Sequence, residues 1–171
     1  MTTDNRVVST WRSLSLELTL ITTIFIADRV SKHLANTLLP RGVRVPFIPG
    51  VLSFFYTENS GAAFGILPGQ RWLLSVVSSL ILVLMIKKRA LLTEESTFLR
   101  VTWSLIFAGA LGNLWDRLLS GVVVDFLHLD FVRFAIFNVA DVAITSGASL
   151  YIAALLWFMR KPDQVSENGK P

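Results

Sequence analysis

The chain of 171 residues contains no cysteine. That single absence excludes disulfides, thiolate metal sites and a cysteine nucleophile, and it leaves the redox compartment open. Histidine is almost absent too. His33 and His128 are the only 2, and no H-E-x-x-H segment is present to hold a catalytic zinc, so no metal is expected. Charge is also sparse: charged residues make up 16% of the chain against 53% hydrophobic ones, and the mean hydropathy is +0.58. This is too apolar for an ordinary soluble domain and points to a membrane protein. The formal net charge is +4, but the lysines and arginines gather at the edges of apolar stretches. Anchoring at anionic lipid explains that placement better than a nucleic-acid partner does.

Four apolar stretches are long enough to approach the roughly 20 residues that a hydrocarbon core requires. They predict spans at about 14–34, 70–87, 98–117 and 138–158. The first is weak, because its clean run ends at Ala27 and meets Asp28, Arg29 and Lys32. It spans only if the helix continues to about Leu34 with Lys32 snorkelling outward. A cleaved signal peptide is the rival reading of this segment. No small-residue cleavage site follows promptly, which favours an uncleaved anchor. All five tryptophans, Trp11, Trp72, Trp103, Trp115 and Trp157, fall near proposed span ends, as an interfacial aromatic belt requires.

The segment 43–69 differs. It holds Pro46, Pro49, Gly50, Gly61, Gly65 and Pro68 around the aromatic and β-branched run Val51-Leu-Ser-Phe-Phe-Tyr-Thr57. That pattern predicts a strand bounded by turns, and hence a small extracytoplasmic β-cradle on an otherwise all-α membrane bundle of four helices. Residues 1–161 read as one membrane-embedded domain and 162–171 as a polar, disordered tail.

Four spans place both termini on one side. Arg6, Arg12, Lys87, Lys88, Arg89, Arg100, Arg160, Lys161 and Lys170 lie on that side, nine in all. Arg29, Lys32, Arg41, Arg44, Arg71, Arg117 and Arg133 lie on the other, seven. The excess favours cytoplasmic termini.

Five aspartates, Asp28, Asp116, Asp125, Asp130 and Asp141, stand at or near the ends of hydrophobic stretches. A carboxylate at a bilayer edge is costly and is kept where it faces a bundle interior or a wet cavity. Asp125 lies between Val122-Val-Val and Phe126-Leu127. It is either a strand-edge or loop carboxylate in water, or a desolvated proton carrier. Asp141 follows Asn138-Val-Ala, so Asn138 and Asp141 can form an imperfect capping box at the start of the fourth span. That role does not exclude chemistry. If Asp125 and Asp141 meet, like-charge repulsion separates their titrations and makes one a base and the other an acid.

Asn113, Asp116 and Arg117 sit at i, i+3 and i+4, so Asn113 shares a helix face with each of the other two. Ala108 and Gly112 form a small-xxx-small pair that admits a neighbouring helix. Asn59-Ser-Gly61-Ala-Ala-Phe64 is either an ordinary turn or a close-approach loop for an extended peptide. Asp28 can cap, pair with Arg29 or Lys32, or orient the site. The two histidines read as interfacial bystanders.

Five segments in this order resemble the lipoprotein signal peptidases (signal peptidase II), the bacterial intramembrane aspartyl peptidases: Asp28-Arg-Val-Ser-Lys32, Asn59-Ser-Gly-Ala-Ala-Phe64, Gly109-Ala-Leu-Gly-Asn-Leu-Trp-Asp-Arg117, Val124-Asp125-Phe126 and Phe137-Asn-Val-Ala-Asp141. Each is weak alone, and together they cover most of the chain. The resemblance implies that Asp125 and Asp141 are the catalytic pair. It implies that Asp28, Asn59, Gly61, Asn113, Arg117 and Asn138 support the site or contact substrate and the family's cyclic peptide inhibitors. It further implies a monomeric, cofactor-free enzyme of the bacterial cytoplasmic (inner) membrane with its site near the outer face. The implied reaction removes the signal peptide of a diacylglyceryl-modified prolipoprotein just before the lipidated cysteine. Two departures stand out. The first segment usually reads D-Q-x-T-K, where this chain has Arg29 and Ser31, and Ala108 replaces a family glycine.

Three other function classes remain open on residues alone. A proton-coupled carrier would also keep intramembrane Asp and Arg. A Ser-Lys peptidase would use Ser31 and Lys32, although adjacent helical residues do not face each other. A structural membrane subunit would need neither carboxylate.

Overall fold

The computed structural model describes residues 3–93 and 96–159, without the side chains of residues 3–13 and 158–159. The expected tail at 162–171 lies outside the described residues. Five helices and three strands follow in chain order: α1 Thr3–Leu38, β1 Val45–Ile48, β2 Leu52–Asn59, α2 Arg71–Lys87, α3 Arg89–Thr93, α4 Thr97–Leu119, β3 Val123–Leu129 and α5 Val139–Met159. A single 3-10 turn, Ala63–Gly65, lies between β2 and α2.

α4 is the hub, packing against α1, α2 and α5. Glycine sets the closest approach. A Cβ on Gly109 would collide with the Ala140 carbonyl oxygen of α5, and one on Gly147 would lie 2.8 Å from that of Thr102 in α4. A Cβ on Gly112 would lie 2.7 Å from Asp28 Oδ2 of α1. The expected Ala108–Gly112 pair is therefore shifted by one residue: Ala108 is buried, while Gly109 and Gly112 make the close contacts.

α1 is longer than expected, with 36 residues. At about 1.5 Å per residue it is long enough to pass through a hydrocarbon core about 30 Å thick and project beyond it. Ala35 in its last turns, and Leu39 just beyond its end, pack with Tyr56, Phe126 and Val139 behind the sheet. Lys32 does not snorkel outward. It is 3% exposed and turned into the bundle, because two carboxylates await it there, as described below. At the opposite end of α1, Glu17 is buried and accepts from Arg89 Nε at 2.5 Å and Nη2 at 2.7 Å, tying α1 to α3.

Among the described residues, one helix segment, Val139–Trp157 in α5, is long and apolar enough to cross a membrane by length and composition. The polar residues of α1 and α4 near the site, Asp28, Arg29, Lys32, Asn113 and Asp116, build the ion cluster inside the bundle.

The sheet is antiparallel in the order β1-β2-β3. Two strands come from the expected segment 43–69. The third does not: of the strand edge and the loop left open for Asp125, the structure has a strand, Val123–Leu129, with Asp125 opposite Thr57. Thus the cradle is not built from 43–69 alone, and half of the site rides on it.

Gly109→Ala is expected to lower the thermal stability of the detergent-solubilised protein by about 1–3 kcal/mol, because the opposing atom is backbone and cannot move aside. An unchanged unfolding midpoint would contradict this helix spacing.

Candidate active site

Alternation along β3 turns Phe126 toward the core formed with Ala35 and Tyr56, and so turns Asp125 to the other face. After β3 the chain reverses and returns. Phe137 forms an antiparallel bridge with Leu127, donating to the Leu127 carbonyl at 3.1 Å and accepting from Leu127 N–H at 2.8 Å. That bridge delivers Asn138 alongside Asp125 and starts α5 at the next residue. A separation of sixteen positions is thereby closed by two backbone hydrogen bonds.

Asn138, wholly buried, connects the two candidate carboxylates. Its Nδ2 donates to Asp125 Oδ1 at 2.6 Å. Its Oδ1 accepts from Asp141 N–H at 2.9 Å, and its own N–H donates to Asp141 Oδ2 at 3.1 Å. The last two bonds are the reciprocal pattern of a capping box. Capping and site-building are therefore one arrangement, and the helix N-terminus fixes where Asp141 sits.

Asparagines supply the remaining donors. Asn59 Nδ2 donates to Asp125 Oδ2 at 3.0 Å, while its Oδ1 accepts from Gly61 N–H at 2.9 Å. Gly61 leaves no room for a side chain, since a Cβ would lie 2.7 Å from the Ile66 carbonyl oxygen. Asn113 Nδ2 donates to Asp141 Oδ1 at 2.8 Å, and its Oδ1 accepts from Asn138 Nδ2 at 3.3 Å. Arg117 reaches across to the Gly61 carbonyl at 2.8 Å and so fastens the Asn59 turn to α4.

Below this layer lies an ion cluster. Asp28 accepts from Ala140 N–H at 3.0 Å, capping α5 from a different helix. It also pairs with Arg29 at 2.5 Å and Lys32 at 3.0 Å. Lys32 pairs in turn with Asp116 at 2.7 Å and donates to Asn113 Oδ1 at 2.9 Å. Arg29 also grips Asp116. Capping and ion pairing, two of the three roles open to Asp28, are thus filled at once.

Arg29, Lys32 and Asp116 are the members of this cluster that sequence reasoning left out of the site. The Asp28–Lys32 spacing of i, i+4 was the available signal. These bonds also remove the Ser-Lys alternative. Lys32 is an ammonium held by two carboxylates, and Ser31 donates to the Asp28 carbonyl at 3.0 Å. Of the five aspartates, only Asp130 stays apart. It accepts from Ser53, His128 and Arg44 on the cradle, and the Ser53 hydrogen bond holds its carboxyl below the ordinary range.

Burial, followed by the neighbouring Asp141 carboxylate, pushes the Asp125 carboxyl up to about 6, despite the hydrogen bonds from Asn59 and Asn138. A cavity of about 300 Å³ opens beside it, lined by Thr57, Asn59, Gly61, Gly65, Pro68 and Ile136 among others. Asp125 lines this cavity, and two coupled carboxylates, one of them at such a wall, can take a proton from water and return one to a leaving group. Among the described residues, no cluster of three or more His, Asp or Glu side chains could hold a metal ion.

The family model for signal peptidase (SPase) II matches residues 20–157. The chain belongs to the signal peptidase II family. All the candidate residues fall within the matched span. A lipoprotein signal peptidase of Streptococcus pyogenes serotype M5 (strain Manfredo) is 40% identical over 128 residues, covering 75% of this chain and 84% of the relative. That of serotype M18 (strain MGAS8232) matches to the same extent. Among solved structures, a bacterial membrane enzyme determined by the in meso method at 2.3 Å resolution superposes with a TM-score of 0.83 at 34% identity, covering 88% of this chain and 94% of that one. A second, at 1.9 Å resolution, gives 0.77 at 35% identity over 83% and 93%. A signal peptidase II is a peptidase, and its solved neighbours are membrane enzymes.

The raised Asp125 carboxyl predicts a pH-dependent stability. An acid whose folded value lies above its unfolded one stabilises the fold most below the unfolded value, and that contribution is lost as pH rises through the folded one. For Asp125 the window runs from the ordinary value of 3.8 to about 6, and the loss is on the order of 2–3 kcal/mol. Asp125→Asn removes the titration. Its melting temperature, relative to wild type, is therefore expected to climb between pH 4 and pH 7. Parallel melting curves across that range would contradict the burial of a titrating Asp125.

Proposed function

We propose that this signal peptidase II is an intramembrane aspartic endopeptidase that removes the signal peptide from diacylglyceryl-modified prolipoproteins, cutting before the lipidated cysteine. The observation that carries the reading is the Asn138 bridge: its side-chain amide donates to Asp125 and its backbone N–H donates to Asp141. The relatives' name, lipoprotein signal peptidase, supports the substrate class.

In this reading α1, α2, α4 and α5 cross the bacterial cytoplasmic (inner) membrane as four spans. The termini are cytoplasmic, the sheet is extracytoplasmic and the site lies near the outer face. The enzyme works as a monomer and needs neither metal nor organic cofactor. The precursor enters sideways from lipid, leaving its acyl chains between the helices, and its extended segment runs under β2 and the Asn59 turn. The family's cyclic peptide inhibitors would occupy the same path.

The pair holds one proton at rest. The ionised carboxylate takes a proton from water as the hydroxyl attacks the scissile carbonyl carbon. The protonated partner then gives its proton to the departing nitrogen as the C–N bond breaks. The signal peptide leaves with a new carboxyl group and the lipidated cysteine with a new amine. The pair again holds one proton, now on the other member, so the cycle balances without an acyl-enzyme. Arg117 bonds two carbonyls, of Gly61 and Asn113, and a guanidinium has five N–H groups. It therefore retains donors for the developing oxyanion, whereas both N–H groups of the Asn138 amide are committed to Asp125 and Asn113.

Asp125→Asn and Asp141→Asn are each expected to reduce cleavage of a lipidated precursor at least about a thousandfold while the protein still inserts and folds. The unmodified precursor should resist the wild-type enzyme. Near-normal turnover in either variant would sink the pair assignment. Equal cleavage of both precursors would sink the lipid requirement.

A further inference from the structure

Among the charged groups around the site, Arg29 has no counterpart in the pattern the chain otherwise resembles, where glutamine usually stands. It is not a loose surface charge. Its guanidinium grips Asp116, pairs with Asp28 at 2.5 Å and reaches the Gly112 carbonyl at 3.3 Å. It lies 5.7 Å from the centre of the Phe25 ring, which packs edge-on against Trp115 at 5.8 Å. An aromatic wall on one side and two carboxylates on the other leave it in a half-buried, weakly screened position.

The charges facing Asp125 and Asp141 can be counted by element. α1 gives Asp28, Arg29 and Lys32, α4 gives Asp116 and Arg117, and β3 and α5 give the pair itself. Glu58 of β2 also borders the cavity, on the solvent side. Within the buried group, four carboxylates face three cations. The sum is zero when the pair holds one proton. Without Arg29 it is −1 in that same state, and a second proton would be drawn in to restore balance.

We propose that Arg29 is a positioning residue that sets the pH range in which the Asp125–Asp141 pair holds a single proton, by supplying the third cation through Asp28 and Asp116. This rests on the reading of that pair as catalytic. Asp28 relays the effect, since it accepts from Ala140 N–H at the start of the helix that carries Asp141. Asp116 relays it through Lys32 to Asn113, whose amide holds Asp141.

The test is the pH profile of kcat/KM on a lipidated precursor for wild type, Arg29→Gln, Arg29→Lys, Asp116→Asn and the double variant Arg29→Gln/Asp116→Asn. The substrate-free titration of Asp125 is followed in each by isotope-edited infrared spectroscopy. Arg29→Gln is expected to move the profile and the Asp125 midpoint to higher pH by about one unit. Asp116→Asn should move both to lower pH, the double variant should return them toward wild type, and Arg29→Lys should leave them in place. A wild-type profile in Arg29→Gln with only a lowered rate or stability would overturn the proposal and leave Arg29 a packing residue. If Arg29→Gln fails to fold, an unshifted Asp116→Asn overturns it equally. Failure of the catalytic reading looks different: Asp125→Asn or Asp141→Asn would keep turnover, whatever the Arg29 variants do.

Discussion

Everything at the sheet-bearing end of this bundle depends on holding four carboxylates within one buried cluster. Isolated carboxylates in such a place would simply protonate or force the helices apart. Here Lys32 and Arg29 each bridge Asp28 and Asp116, and Arg117 closes the side toward Gly61. Three cations against four carboxylates leave one charge uncompensated, and in the proposed mechanism one proton shared by Asp125 and Asp141 removes it. The stoichiometry that keeps the cluster neutral is the one an acid–base pair needs.

The fold serves that balance through a few short-range devices. The Leu127–Phe137 bridge brings the end of β3 to the start of α5. Asn138 then ties Asp125 to Asp141 while capping the helix. Gly109 and Gly112 let α4 approach α5 and Asp28 closely enough for Asn113 to reach Asp141. The extended end of α1 supports the sheet from behind, so the strand bearing Asp125 rests on Ala35 and Leu39. None of these devices is strong alone. Each restricts the position of the next, and a buried polar network is stable only when every member is partnered.

Much of this was legible in the sequence, and the failures share a cause. Helices at α2, α4 and α5 fall within a few residues of expectation, because apolar periodicity and terminal charges mark them. β2 was visible in its aromatic run and flanking turns. The Asn138–Asp141 box could be read from spacing, and both members of the candidate pair were named. What sequence could not give was the partner of each charge. Lys32 at a span edge looks like a snorkelling lysine until Asp28 and Asp116 are seen to converge on it. The first span looks weak for the same reason, since its clean run ends where Asp28, Arg29 and Lys32 begin. β3 stayed open between strand edge and loop because its strand character depends on pairing with β2, some 65 residues away, and Asp125 interrupts its apolar run. Local pattern reports the element, whereas pairing across the bundle reports the site.

The central claim is that Asp125 and Asp141 titrate as a coupled pair. The direct measurement is the protonation midpoint of Asp125, followed by isotope-edited infrared spectroscopy in the wild-type protein and in Asp141→Asn. The account predicts a midpoint at about 6 in wild type and a clear fall when the Asp141 charge is removed. A wild-type midpoint near the ordinary value of 3.8, or one that Asp141→Asn leaves unmoved, would contradict it.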